Sequence, residues 1–189
     1  YLAKQGHSVI IFEALPEPGG MLRVGTPEYR LPREILDAEI EEIRRVGIDI
    51  KANTRIGSLD ELFKQGFNAV FLALGAHKGI KMGIEGEGSP GVMECIDLLR
   101  DVNLGKEVKL QGKVVVIGGG NAAIDSARTA LRLGAAEVTI IYRRSRVEMP
   151  ASPDEVEAAL EEGVKIVFLG ARSIAPAFSR SSLSAITAL

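Results

Sequence analysis

Cysteine is nearly missing: Cys95 is the only one in 189 residues. A lone cysteine excludes an intrachain disulfide framework and any four-cysteine iron or zinc site. The histidines are His7 and His77 alone, so the sequence offers no triad or metal cluster. Cys95, without a second cysteine or a nearby histidine, is assigned to the core rather than to redox or nucleophilic work. Excess positive charge is lacking too. The formal net charge is −2 with 25% charged residues, which argues against a general binder of nucleic acid or membrane surfaces. No apolar run approaches the roughly 20 residues that a bilayer span needs, and no signal peptide precedes the first element. The expectations are a reduced cytoplasm, no nucleic acid and no membrane. What is present is 46% apolar content, enough for one large or two small cores.

The most informative stretch runs from Lys113 to Arg144. Val114 to Gly118 is a β-branched run closed by glycines, the pattern of a buried strand. Gly118, Gly119, Gly120, Asn121, Ala122 and Ala123 then fit G-x-G-x-x-A. In such a turn the first glycine permits a tight strand-to-helix bend and the second lets backbone approach a pyrophosphate. The small last residue lets the helix pack on the strand. The phosphates then face a helix N-terminus, where unpaired N–H groups and the helix dipole favour negative charge. A helix from about Asn121 to Leu133, a stop at Gly134 and an apolar strand from Val138 to Tyr142 complete a βαβ unit. At the end of that second strand an acid suits the ribose of NAD, whereas arginine suits a 2'-phosphate. Arg143 and Arg144 stand there, which points to NADPH. The alternative is a glycine-rich turn followed by two solvated arginines.

Half of the same motif occurs at the start of the chain. Tyr1 to Gly6 has the form of a helix end closed by glycine, Ser8 to Phe12 is a strand, and Glu13 takes the position that Arg143 takes later. Gly118 lies 16 residues before Gly134, and the same offset from Gly6 falls upstream of Tyr1. The expectation is a fragment of a longer chain whose first fingerprint precedes residue 1. Glu13 would hold the ribose of that first dinucleotide; otherwise it is an ordinary acid at a strand end.

Pro16 to Pro32 is a turn-rich loop without helical or strand pattern, long enough to imply function. Pro32 opens a helix to about Val46, Ile48 to Ala52 is a short strand, and Ser58 with Glu61 forms a capping box for a helix through Gln65. Asn68 to Leu74 has the composition of a strong buried strand. The glycine-rich stretch from His77 to Gly91 is the best domain boundary, and Val92 to Val102 resumes as a helix. Ser152 to Glu155 is a second capping box with proline at N1, opening an acidic helix to Glu162, and Val164 to Leu169 is a further buried strand. Ala171 to Leu189 lacks acids and period, so residues 171–189 are expected to form a poorly specified tail.

With these pieces placed, the chain resembles the NADPH-dependent FAD oxidoreductases of the glutamate synthase small subunit type. The flavin region of dihydropyrimidine dehydrogenase and the NADPH:ferredoxin oxidoreductases belong to the same group. The resemblance covers Tyr1 to about Phe168 and rests on a set of pieces: Glu13; Gly19-Gly20-Met21-Leu22; Gly25 through Pro32; Ala73-Leu74-Gly75-Ala76; the Gly118 fingerprint; and Tyr142-Arg143-Arg144 followed by Glu148-Met149-Pro150. It implies an α/β fold of two Rossmann-like FAD/NAD(P)-binding domains, the two-dinucleotide-binding flavoprotein type, with the first domain incomplete. Residues 1–89 would be the partial FAD domain and 90–170 an inserted NADPH domain. Glu13 would bind the ribose of FAD, and the Gly19, Gly20, Met21 and Leu22 backbone and Arg30 would lie along the flavin nucleotide. Gly75 would mark a strand end beside it. A cation beside a pyrophosphate is a charge-assisted contact, which supports Arg30; without the surrounding motif it is a solvated loop arginine. The chain departs from the family in its first fingerprint and in 171–189, which does not resemble the family's return to FAD. Truncation or a shifted reading frame would account for both.

Hydride transfer asks a protein for orientation and electrostatics more than for an acid, base or nucleophile. The resemblance therefore implies no catalytic side chain. It implies NADPH reducing FAD, with electrons leaving to iron-sulfur clusters of a partner domain or large catalytic subunit. A disulfide-reductase activity would need a redox cysteine pair. The alternative in another class is a non-catalytic NADPH-binding module or inactive remnant.

Overall fold

The computed structural model describes residues 1–169 and 183–188. The chain divides into two compact units, Tyr1–His77 and Lys78–Leu189.

In the first unit a 3-10 turn, Ala3–Gln5, closes on Gly6, whose φ of 88° is open to glycine at little cost. Strand β1 (Val9–Phe12) follows. Helix α1 (Gly20–Val24) lies in the stretch expected to be loop, and α2 (Arg33–Arg45) starts after Pro32 with Leu36 and Ile40 buried. The last strand and helix are β2 (Ile48–Lys51) and α3 (Leu59–Lys64), the latter capped by the Ser58 hydroxyl, which accepts from the Asp60 amide. β1 and β2 pair in parallel, Val9 opposite Ile48, as a two-stranded sheet.

Asn68 to Leu74, expected to be a buried strand, has no strand assignment, and Phe71, Leu72 and Leu74 are 86%, 58% and 75% exposed. The composition is that of a strand, but a strand needs a ladder, and no described strand pairs with these residues.

The second unit contains β3 (Val92–Glu94), α4 (Cys95–Asn103), β4 (Lys113–Ile117), α5 (Asn121–Arg132), β5 (Glu137–Tyr142), a 3-10 turn (Arg146–Glu148), α6 (Pro153–Glu161), β6 (Lys165–Phe168) and β7 (Leu183–Thr187). Its sheet is parallel, in the order β3-β7-β4-β5-β6. Val92 to Glu94 was expected to begin a helix; it is instead strand β3, because Val92 and Met93 pair with Ala185 and Ile186 of β7. The expected tail is corrected likewise for its end. β7 lies between β3 and β4, with Val114 opposite Ser184 and Val116 opposite Ile186. A five-residue run with two hydroxyl side chains carries little sequence signal, and buried positions in a parallel sheet decide its conformation. Residues 170–182 and Leu189, the rest of that expectation, lie outside the described residues.

Alternation along the strands divides the core. Val114, Val116, Val138, Ile140 and Ile186 join Leu98 of α4, Ala123, Ile124 and Ala127 of α5, and Val156 of α6 in one buried cluster. Val115, Ile117 and Ile141 form a second with Met82 packed against it. The 78–91 stretch thus packs within the second unit, where the Gly79 amide also donates to Glu94 Oε2 at 2.9 Å.

Neither expected capping box takes its reciprocal form: the Ser58 hydroxyl accepts from the Asp60 amide rather than that of Glu61, and the box at Ser152 is absent. Ser152 makes no capping bond, and Glu155 instead meets Arg128 at 2.5 Å. Arg128, 8% exposed, also bonds Glu162 at 2.7 Å, and Arg132 reaches the same carboxylate at 2.7 Å. These pairs lock α5 onto the end of α6, and the two guanidinium groups hold the Glu162 carboxyl down at about 2. Among the described residues no helix is long and apolar enough to cross a membrane, and no group of His, Cys, Asp and Glu could hold a metal ion.

Candidate functional site: the glycine turn and its arginines

The turn between β4 and α5 shows what each of its glycines is for. Gly118 has φ 150°, and a Cβ there would overlap the carbonyl oxygen of Ala188, just beyond β7. A Cβ on Gly119 would run into the ring of Tyr142. Gly120 has an ordinary φ of −88° and nothing within 4 Å of the position its Cβ would take. Protein packing therefore requires glycine at 118 and 119, whereas at 120 the space is open and lies at the N-terminus of α5. Gly120 is itself the N-cap, so no side chain caps the helix; the Ala123 amide donates to the Gly120 carbonyl at 3.0 Å, which leaves the Asn121 and Ala122 amides at the helix start to face an anion. Ala123 is fully buried, as close helix packing demands. The cradle fits a pyrophosphate.

Parallel register sets the arginines beside this turn. Ile117 pairs with Ile141, the Gly118 amide donates to the Ile141 carbonyl at 3.1 Å, and Arg143 and Arg144 follow at the C-terminal edge of the sheet, both exposed. That edge, next to a glycine turn, is where open parallel sheets take ligands. Ala122 is half-buried. The Asn121 side chain holds protein: its Oδ1 accepts from the Ser152 amide at 2.9 Å.

The supports around the arginines were not read from the sequence, although one of them left a signal there. Tyr142 is 8% exposed and its hydroxyl donates to the Glu148 carbonyl at 2.9 Å. Ser145 and Glu148 form a reciprocal capping box, a signal present as S-x-x-E, and those hydrogen bonds hold the Glu148 carboxyl below the usual carboxylate range.

In the first unit Glu13 lies at the end of β1, its amide donating to the Lys51 carbonyl and its Oε1 accepting from the Leu15 amide at 2.9 Å. Gly19 (φ 124°) packs against Arg23 and Leu36, while Gly20 (φ 53°) has open space where a Cβ would lie. Gly75 (φ 68°) has His77 and Met21 as its neighbours, so it meets the Gly19–Leu22 segment although no strand ends there. Leu22 and Arg30 are exposed, with the Arg30 amide donating to the Pro27 carbonyl in a turn. The unpredicted residue is Arg23. At 4% exposure, it bonds the Pro18 carbonyl at 2.6 Å, Glu17 at 2.9 Å, and Asp37, fixing the loop to α2.

Cys95 is buried among apolar residues, and burial pushes its thiol up to about 11, far from a redox thiolate.

The NADP(+)-dependent formate dehydrogenase subunit beta of Moorella thermoacetica is 53% identical over 174 residues, covering 89% of this chain and 24% of that protein. The NADPH-Fe(3+) oxidoreductase subunit beta of Geobacter sulfurreducens is 53% identical over 176 residues, 89% of this chain and 26% of that protein. The NADPH glutamate synthase small chain of Escherichia coli is 36% identical over 181 residues, 88% and 38% respectively, in keeping with the resemblance carried by the motifs. The chain spans between 24% and 38% of the length of these curated relatives. Among solved structures, Mycobacterium tuberculosis FprA in complex with NADPH superposes with a TM-score of 0.71 at 24% identity, covering 82% of this chain and 41% of that one; the likeness shows the two-dinucleotide-binding flavoprotein fold. The model of one family matches residues 1–168, and by it the chain belongs to the pyridine nucleotide-disulphide oxidoreductase family.

Proposed function

We propose that this chain is part of an oxidoreductase that takes electrons from NADPH to FAD and on to iron-sulfur clusters of a partner domain or large catalytic subunit, in a reduced cytoplasm. The observation that carries the reading is the division of labour within the glycine turn, where 118 and 119 are filled by protein and 120 is open at a helix N-terminus beside two arginines. When bound, the nucleotide supplies a hydride and the flavin accepts it. The chain's own residues bind and orient. Gly120 and the first turn of α5 take the pyrophosphate, and Arg143 and Arg144 take the 2'-phosphate.

In the first unit Glu13 reads a ribose and the Gly19, Gly20, Met21 and Leu22 backbone, Gly75 and Arg30 line the flavin nucleotide. These assignments divide the chain into a partial FAD domain and an NADPH domain. Relatives named for NADPH or NADP(+) and for iron or formate chemistry support the electron-transfer role. Their greater length gives room for the cluster-bearing partner. A second reading, an NADPH-binding module without turnover, is favoured for these residues alone by the two-stranded sheet of the first unit.

Calorimetric titration of the chain with NADPH and NADH tests the proposal: NADPH should bind more tightly, and equal affinities would overturn it. An absorbance spectrum separates the two readings, because a chain that retains stoichiometric FAD is not the bare binding module.

A further inference from the structure

The loop after β5 does more than lead to α6. From Arg143 onward it turns back to the glycine turn and is tied there at both ends. The Tyr142 ring fills the space that a side chain at position 119 would need. Its hydroxyl donates to the Glu148 carbonyl at 2.9 Å, closing the segment that contains both arginines. Ser145 closes the same segment from within, its amide and hydroxyl each 3.1 Å from Glu148 Oε2. Farther along, the Ala151 amide donates to the Gly119 carbonyl at 3.1 Å and the Ser152 amide to Asn121 Oδ1 at 2.9 Å. The Leu169 amide bonds the Arg144 carbonyl at 3.2 Å from the β6 side. A plain connection between a strand and a helix needs none of these returns.

We propose that Tyr142, acting with Ser145 and Asn121, is a positioning residue for nucleotide specificity: it holds the arginine segment at a fixed separation from the glycine turn, so that 2'-phosphate and pyrophosphate are read together. The inference rests on the reading that NADPH lies across Gly118–Ala122 and Arg143–Arg144. Its physical basis is preorganisation. An exposed segment carrying two long cationic side chains must be ordered when it binds, and ordering it beforehand removes that cost. Discrimination between NADPH and NADH is the difference of two affinities, and only the NADPH affinity includes the arginine contacts.

The test uses the full chain and both nucleotides. Tyr142→Phe keeps the ring against Gly119 and removes only the hydroxyl; Ser145→Ala weakens the loop's other tie by removing the hydroxyl bond to Glu148 while the amide bond stays. Losing one hydrogen bond of ordinary strength should lower the NADPH-over-NADH preference roughly threefold to tenfold in Tyr142→Phe, with NADH affinity falling by a smaller factor, and in the same direction but less in Ser145→Ala. A merely structural role would weaken both nucleotides by one factor, and that result, or an unchanged preference in both variants, overturns the inference alone. Equal affinities in the unsubstituted chain overturn the underlying reading and the inference with it. Thermal unfolding of each variant accompanies the titrations; if Tyr142→Phe does not fold, the preference of Ser145→Ala decides.

Discussion

In the unit Tyr1–His77 a left-handed glycine, Gly6, leads into β1 and then Glu13; in the unit Lys78–Leu189 Gly134, equally left-handed, leads into β5 and then Arg143. From that shared start the two diverge. β5 is paired on both sides and Val138 and Ile140 are fully buried. Among the described residues β1 pairs with β2 alone, and Ile11 is 40% exposed. Glu13 and Arg143 thus sit at equivalent strand ends in two units, one with its sheet closed into a core and one whose apolar run at Phe71–Leu74 is uncovered. The difference shows that the half-motif places a charged residue at a strand end whatever surrounds it, while a packed core depends on how many strands find partners.

The sharpest way to test the closed unit is at its turn. Gly120→Val should fold normally, because open space surrounds that position, yet abolish NADPH binding by occupying the place of the pyrophosphate; calorimetry and circular dichroism measure the two halves of this prediction. Undiminished binding would reduce the fingerprint to a bend.

Next in size is a matched pair of core truncations. Ile140→Ala should cost about 2–5 kcal/mol in a denaturant melt, and Ile11→Ala, on a half-open strand, roughly 0.5 kcal/mol. Equal losses would erase the contrast drawn between the two sheets.

Exchanging the reading residues comes third. Arg143→Glu gives the second unit the residue type that Glu13 gives the first, and should remove about 1.5–3 kcal/mol of NADPH binding with little loss for NADH. Titration with both nucleotides checks it.

The smallest effect concerns the ion pairs that join α5 to α6 in the second unit, the counterpart of the Arg23–Asp37 pair between α1 and α2 in the first. Because the Glu162 carboxyl is lowered to about 2 from an unfolded value near 4.3, its contribution is fully present above that unfolded value and is lost as pH falls toward 2. Glu162→Gln should cost about 1 kcal/mol or less at neutral pH and flatten the stability curve between pH 5 and 2. A variant whose acid transition is as steep as the parent's would show the pair to be idle.

Local chemistry alone determined much of this protein. Runs rich in β-branched residues, one closed by glycine and one by two arginines, placed β4 and β5, and the left-handed positions of Gly6, Gly134 and Gly163 ended elements where a residue without Cβ was required. What the tertiary structure alone decided are matters of partnership. Asn68 to Leu74 has a better strand composition than Leu183 to Thr187, yet the second forms a strand because β3 and β4 flank it, and the first has no described ladder to join. Glu155 left its capping role for Arg128, 27 residues away, and Arg23 was drawn out of solvent by Pro18, Glu17 and Asp37. Gly119 looked like a free position in the fingerprint until the Tyr142 ring filled its side. Periodicity and turn propensity act over a few neighbouring residues, whereas ladders, ion pairs and ring contacts join residues far apart in the chain, and their free energy exists only once the fold has brought them together.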